Sequence, residues 1–147
     1  MKLIRTTSDN IDFQYLTALF DEYLIIIDGD EKDFFAQFNK IALKNVVVCY
    51  DDGIAVGCGA FKEYEPQVAE IKRMFVHPEH RGKGVASKVL AELESWAKEL
   101  RFGKCILETS YKLENALLLY KKSGYATIEN YGQYVGVESS VCMEKII

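Results

Sequence analysis

The chain has 147 residues, is 49% apolar and carries a formal net charge of −4. That length suits one ordinary domain, residues 1–147, able to bury a core of its own. The acidic balance argues against nucleic acid as a partner, and no apolar run approaches the roughly 20 residues that span a bilayer.

Lys2–Thr6 reads as a short opening strand. Ser8 or Asp9 can cap a helix whose apolar positions Ile11, Tyr15, Leu16, Leu19, Phe20 and Tyr23 recur at helical spacing. Asp28-Gly29-Asp30 is a turn-forming cluster that ends it. A second helix is expected over Lys32–Ile41, with Phe34, Phe35, Phe38 and Ile41 on one side. The period then changes. Asn45–Tyr50 is a β-branched run, Asp51-Asp52-Gly53 a hairpin turn, and Ile54–Tyr64 the return strand. Gly57 and Gly59 within it signal close packing or a bulge. Pro66 breaks this strand and Val68–Val76 forms the next.

After the loop His77-Pro78-Glu79-His80, an amphipathic helix runs from about Gly84 to Leu100, with Val85, Val89, Leu90, Leu93, Trp96, Ala97 and Leu100 on its apolar stripe. Gly103 sits where a helix C-terminus favours a positive φ. Lys104–Thr109 is a strand, Leu113–Lys122 a helix stopped by Gly124, and strands near Ala126–Glu129 and Val137–Lys145 end the chain. This order implies an α/β (α+β) layout with a mixed sheet.

Cys49, Cys58, Cys105 and Cys142 form no C-x-x-C pair, and the chain has two histidines. Buried free thiols and no metal site are expected. The N-terminus, Met1-Lys2-Leu3-Ile4-Arg5, lacks a signal-peptide layout. A cytoplasmic protein that engages no membrane is therefore expected.

The chemistry-bearing segment is Arg81-Gly82-Lys83-Gly84-Val85-Ala86, between a strand and a helix. The first N–H groups of a helix have no intrahelical partners, and the helix dipole places partial positive charge there. Such a point binds phosphate through backbone alone. Gly82 and Gly84 let the chain approach an anion closely, while Arg81 and Lys83 add charge. Walker A spacing is missing, and Ser87 stands where a dinucleotide fingerprint needs its last glycine. A glycine-rich turn before a surface helix is the plainer alternative.

Val76 to Ala86 resembles motif A of the GNAT N-acetyltransferase family, R/Q-x-x-G-x-G/A, with Arg81, Gly84 and Ala86 at the defining positions. Glu114 to Tyr125 resembles motif B, N-A-x-x-L/F-Y-x-K-x-G-F/Y. The element order is also similar to that family's fold. The resemblance is nearest to its small-molecule acetyltransferases, through Asp28 to Glu31, Glu70 to Val76 and Asn130 to Gly132.

The resemblance implies a single-domain fold with helices on both faces of a mixed sheet, its fourth and fifth strands splayed by a bulge in Arg73 to Val76. It implies acetyl-CoA as co-substrate. Amides of Gly82 to Ala86 would take the pyrophosphate, with Arg81 beside them. Met74, Phe75 and Val76 would offer the pantetheine arm a free strand edge. Asn115 would hydrogen-bond the same arm, or else its own backbone. Tyr120 would meet the leaving thiolate, or else serve as core.

The family often places a glutamate on the fourth strand as base, commonly acting through water. Glu70 matches, and Glu108 on the fifth strand is its rival. Asp28, Asp30 and Glu31 are candidates for ammonium recognition, or else for capping and solvation. Tyr131 and Tyr134 would wall the acceptor pocket or a homodimer interface. The implied activity is acetyl transfer to a primary amine of a small molecule by direct attack in a ternary complex. A silent CoA-sensing module and a protein N-acetyltransferase are the alternatives.

Overall fold

A computed structural model describes residues 1–39 and 42–147, with the side chains of 37–39 not described. Seven strands form one mixed sheet: β1 (Lys2–Thr6), β2 (Asn45–Asp51), β3 (Ile54–Glu65), β4 (Val68–Val76), β5 (Lys104–Ser110), β6 (Ala126–Ile128) and β7 (Ser140–Ile146). Their order across the sheet is β1-β2-β3-β4-β5-β7-β6. Only β4 and β5 are parallel neighbours; the other pairs are antiparallel. Helices α1 (Ile11–Asp28) and α2 (Lys32–Asn39) precede β2, α3 (Val85–Glu99) joins β4 to β5, and α4 (Glu114–Lys122) follows β5. Helix α3 packs its buried Val85, Val89, Leu90, Leu93 and Ala97 on one sheet face, together with Tyr120 and Tyr125. Helix α1 covers the other with Phe13 and Leu16. Among the described residues no helix is long and apolar enough to cross a membrane.

The local signals account for most boundaries. Asp52 and Gly53 both have positive φ, 53° and 77°, between paired Asp51 and Ile54. That is the two-residue turn whose twist matches a hairpin. Pro66-Gln67 makes the next turn, with Gln67 at φ 69°.

Three expectations shift. Helix α1 is capped by Asn10, whose side chain accepts from Phe13 N at 2.9 Å. Ser8 instead accepts from Leu43 N at 2.8 Å and ties the loop before β2 to the loop after β1. The positive φ after α3 falls on Arg101 (70°), not on Gly103. Arg101 N bonds Lys98 O and Phe102 N bonds Ala97 O, a Schellman ending that drives Phe102 back onto the core. The last strand begins at Ser140, because Gly132–Tyr134 forms a 3₁₀ turn and Asn130 Nδ2 holds Tyr134 O and Val137 O in the loop that follows. The expected end of α2 at Ile41 and the packing of Phe38 lie outside the described residues.

The feature that makes the site is in β4. Ala60 pairs with Lys72 and Cys58 with Phe75, so β4 spends one residue more than β3 over the same stretch. Arg73 takes up the excess in the left-handed region, φ 59°, a conformation that costs a non-glycine residue free energy. Its guanidinium offsets that cost: Nη2 donates to Thr17 O at 3.1 Å and to Asp21 Oδ1 at 2.8 Å on α1. Opposite the bulge stands Gly59, where an added Cβ would meet Met74 Sδ at 2.5 Å and Leu93 Cδ1 at 2.9 Å. The bulge turns β4 off its course, and its pairing with β5 is confined to Val68–Glu70 against Lys104–Ile106. Beyond that the two strands splay, as expected.

Candidate active site

The splay opens a cleft of about 790 Å³. One end is built by α3. Gly82 and Gly84 both hold φ 79°, and Gly84 is the N-cap. A Cβ on either would meet nothing within 4 Å. The glycines are therefore needed for backbone conformation, not for space. Gly84 supplies no side-chain cap, and no acidic residue lies in the first turn. The first intrahelical bond comes from Lys88 N to Gly84 O. The amides of Val85, Ala86 and Ser87 thus lack helix partners at the positive end of a 15-residue helix. Arg81 lies beside them; its Nε donates to Val76 O at 3.1 Å and its guanidinium sits over Tyr23 and Phe75. Lys83 is exposed and does not line the cleft.

The middle is the β4 edge from Lys72 to Val76, unpaired on its β5 side. Met74, Phe75 and Val76 all line the cleft. The Val76 carbonyl is already engaged by Arg81, so the groups near Met74 are the free part of this edge. Asn115, in the first turn of α4, faces the cleft and makes no side-chain bond to the local backbone among the described residues. Tyr120, one turn and a half further on, is 6% exposed and also lines the cleft. Burial, reinforced by the charge of Glu108, pushes its phenol well above the usual tyrosine range.

The far end carries charge. Glu70, Lys72 and Glu108 share one sheet face, because alternate strand residues point the same way and Glu70 stands level with Ile106 on β5. Glu70 is 2% exposed. Its Oε2 accepts from Tyr131 Oη at 2.6 Å, and its Oε1 lies 3.7 Å from Lys72 Nζ. Burial lowers the Lys72 pKa, against the pull of Glu70. Glu108 Oε2 accepts from Ser140 Oγ at 2.7 Å. Burial pushes the Glu108 carboxyl up to about 7, against the Ser140 bond and the charge of Lys72. Asp28, buried at the C-terminus of α1, is also raised by burial. A carboxylate at a helix C-terminus faces the negative end of the dipole as well.

Not every expected residue arrives. Asp28 and Tyr134 line the cleft; Asp30, Glu31 and Tyr131 do not. Asp30 is exposed in the 3₁₀ turn after α1, and Glu31 Oε1 accepts from Ser139 Oγ at 2.7 Å. Tyr131 acts on the cleft through Glu70. Tyr131 and Tyr134 turn into their own chain, with rings 5.8 Å apart. Lys72 and Ser140 belong to the site without having been foreseen. Lys72 was findable by period 2 from Glu70, whereas Ser140 meets Glu108 only through the β5·β7 pairing. All four cysteines are buried free thiols. Burial raises every one, Cys58 to about 12 and Cys105 and Cys142 to about 11. Among the described residues, His77, Glu79 and His80 bring potential metal-ligating atoms within 4.8 Å of one another on one turn. His77 Nδ1 there already accepts from Glu79 N.

Comparison with known proteins agrees with this geometry. Residues 13–125 match the Acetyltransferase (GNAT) family model. The chain is 30% identical over 128 residues to an IAA acetyltransferase of Azospirillum brasilense, covering 85% of this chain and 84% of that one. It is 33% identical over 117 residues to YjgM, an uncharacterized N-acetyltransferase of Escherichia coli (strain K12), covering 78% and 68%. A crystal structure of a proposed acyl-CoA N-acyltransferase from Klebsiella pneumoniae superposes with a TM-score of 0.83 at 28% identity, covering 99% and 96%. The splayed sheet, the glycine-entered helix and these relatives lead to one conclusion: the chain belongs to the GNAT acetyltransferase family and is an N-acetyltransferase.

Proposed function

We propose that the chain binds acetyl-CoA and transfers its acetyl group to a primary amine of a small molecule, by direct attack in a ternary complex. The observation that carries this reading is a convergence on one cleft: an uncapped helix N-terminus, an unpaired strand edge, a buried phenol and a face of carboxylates. The first two fit CoA. Free amides of Val85 to Ser87, with Gly82 and Gly84 holding the loop open and Arg81 and Lys83 supplying charge, suit a pyrophosphate. The edge near Met74 and the side chain of Asn115 suit the amides of a pantetheine arm.

When bound, acetyl-CoA supplies an activated acyl carbon. The chain's own residues do the rest. The β4 edge near Met74 would hold the arm in the cleft that Tyr120 also lines. The Tyr120 phenol donates a hydrogen bond to the sulfur as charge develops there; with its pKa raised, it stabilises more than it protonates. The carboxylates Asp28, Glu70 and Glu108 outnumber Lys72 and Lys112, which favours a cationic acceptor, and they offer a place for the amine's proton. Raised thiol pKa values support direct attack, since a thiol is a poor nucleophile until ionised.

The test is purified protein, acetyl-CoA and a panel of amines and amino acids, following thiol release and acetylated product by mass spectrometry. Acetylation of one or more small amines is expected. CoA binding with no release for any acceptor would support a silent CoA module. Acetylation of peptide N-termini or lysines alone would support a protein acceptor.

A further inference from the structure

The acceptor end holds a buried glutamate, Glu70, and a half-buried one, Glu108, and they differ in what their oxygens meet. Glu70 Oε2 accepts from the Tyr131 hydroxyl at 2.6 Å, and its Oε1 is ion-paired with the Lys72 ammonium at 3.7 Å. The hydroxyl is fixed in turn: Tyr131 packs edge-on against Tyr64 with ring centroids 5.0 Å apart. Glu70 thus faces a fixed donor on one side and a buried cation on the other. Glu108 has one oxygen held, Oε2 by Ser140 Oγ at 2.7 Å. Its Oε1 has no hydrogen-bond partner among the described residues, and the residue lines the cleft, as Tyr120 does.

Resting on the reading above, we propose that Glu108, and not Glu70, is the general base that takes the acceptor's proton, while Glu70 with Lys72 and Tyr131 is a fixed counter-charge. Glu108 Oε1 accepts a proton from the bound ammonium, which frees the nitrogen lone pair. The C–N bond forms as the C–S bond breaks. The second nitrogen proton passes to the departing sulfur, and Glu108 returns its own to solvent. One proton is released per turnover, with no oxidant or reductant.

The surroundings suit that task. A base works best when its pKa lies near the working pH, and burial brings the Glu108 carboxyl to about 7. The charged and titratable groups that face it are Glu70 and Lys72 from β4, Asp28 from α1, Tyr120 from α4, Tyr134 from the β6–β7 loop and Cys142 from β7. Lys72 and the Ser140 bond favour the carboxylate; Asp28 and Glu70 disfavour it. Ser140 is a positioning residue: it fixes one oxygen and so aims the other.

Two measurements test the assignment. The first is NMR titration of protein labelled with ¹³C at the glutamate side-chain carboxyl. A resonance with a midpoint near 7 is expected in the wild type, lost in Glu108→Gln and moved to higher pH in Ser140→Ala. A Glu108 resonance that titrates in the ordinary carboxylate range would overturn the proposal. The second is the pH profile of kcat/KM with two acetylated amines of different pKa, tyramine and cadaverine serving as the first probes. An acidic limb near pH 7, common to both amines, is expected. It should disappear in Glu108→Gln with a loss of at least about 10²-fold in kcat, shift alkaline in Ser140→Ala, and persist in Glu70→Gln whatever that variant's rate. A limb that follows Glu70→Gln, or full activity of Glu108→Gln, would overturn the assignment and leave acetyl transfer standing. Failure of the wild type to acetylate any amine would instead overturn the proposed function, and the NMR arm would still decide the state of Glu108.

Discussion

Tyr131 Oη donates to Glu70 Oε2 at 2.6 Å across 61 residues of sequence. The bond fastens the loop between β6 and β7 to the middle of β4, at the point where β4 leaves β5. Burial and the Glu70 charge push the Tyr131 phenol far above its usual range, so it remains a neutral donor at any physiological pH. A buried carboxylate needs such donors, because the charge has been taken from water.

Tyr131→Phe is expected to destabilise the protein. A hydrogen bond to a charged group contributes roughly 1.5–3 kcal/mol, and the orphaned carboxylate adds its own desolvation cost. For a domain of this size that corresponds to a fall in Tm of about 4–10 °C. Thermal unfolding followed by circular dichroism checks it. An unchanged Tm would show that water or a rearranged Lys72 replaces the phenol.

Tyr120→Phe is expected to lower kcat by about 10²-fold, the order lost when one donor to a developing negative charge is removed. CoA affinity should remain, since the ring keeps its packing against Tyr125. Steady-state kinetics with calorimetry of CoA separates the two. Undiminished kcat would remove the phenol from the chemistry.

Gly84→Val is expected to weaken CoA binding by at least about tenfold. A β-branched residue at φ 79° is strained by roughly 1–3 kcal/mol, so the loop relaxes and its amides lose alignment. The fold should survive, because the added Cβ meets nothing within 4 Å. Equal affinity by calorimetry would show that the pyrophosphate sits elsewhere.

Glu108→Gln is expected to stabilise the fold at alkaline pH. The folded carboxyl keeps its proton up to about 7, against an ordinary 4.5. Between those values the native state binds more protons than the unfolded chain, so ionisation erodes stability as pH rises. Above pH 7 the loss reaches on the order of 3 kcal/mol at most. Gln can still accept the Ser140 bond. The variant's Tm should exceed the wild type's at pH 8 and match it near pH 4. A gain of equal size at both would point to packing in place of charge.

Much of this site was legible before folding. Arg81 to Ala86 marks a helix start open to an anion, because two glycines precede an apolar stripe at helical spacing. Gly57 and Gly59 mark a close approach, and the structure places the bulge of β4 and the side chains of α3 there. Other features were hidden. The positive φ of Arg101 was not visible because its stabilisation comes from Phe102 packing on a core that the local sequence does not contain. The loop before β7 was misread as strand because Val137 has strand character in isolation, whereas Asn130 Nδ2 bonds Tyr134 O and Val137 O and curls that segment up.

The sequence alone determined one half of the cleft: element order, the glycine loop, the helix it enters and the residues of α4 that face the cleft. Those signals are contiguous, so helix periodicity and glycine placement carry them. Only tertiary structure decided the other half, with its charged groups. Whether Glu70 or Glu108 has a free oxygen depends on Tyr131, Lys72 and Ser140, which come from a loop, a neighbouring strand position and a different strand. Burial, which moves the Glu108 carboxyl, is a property of the packed sheet and helices together, and no single segment encodes it.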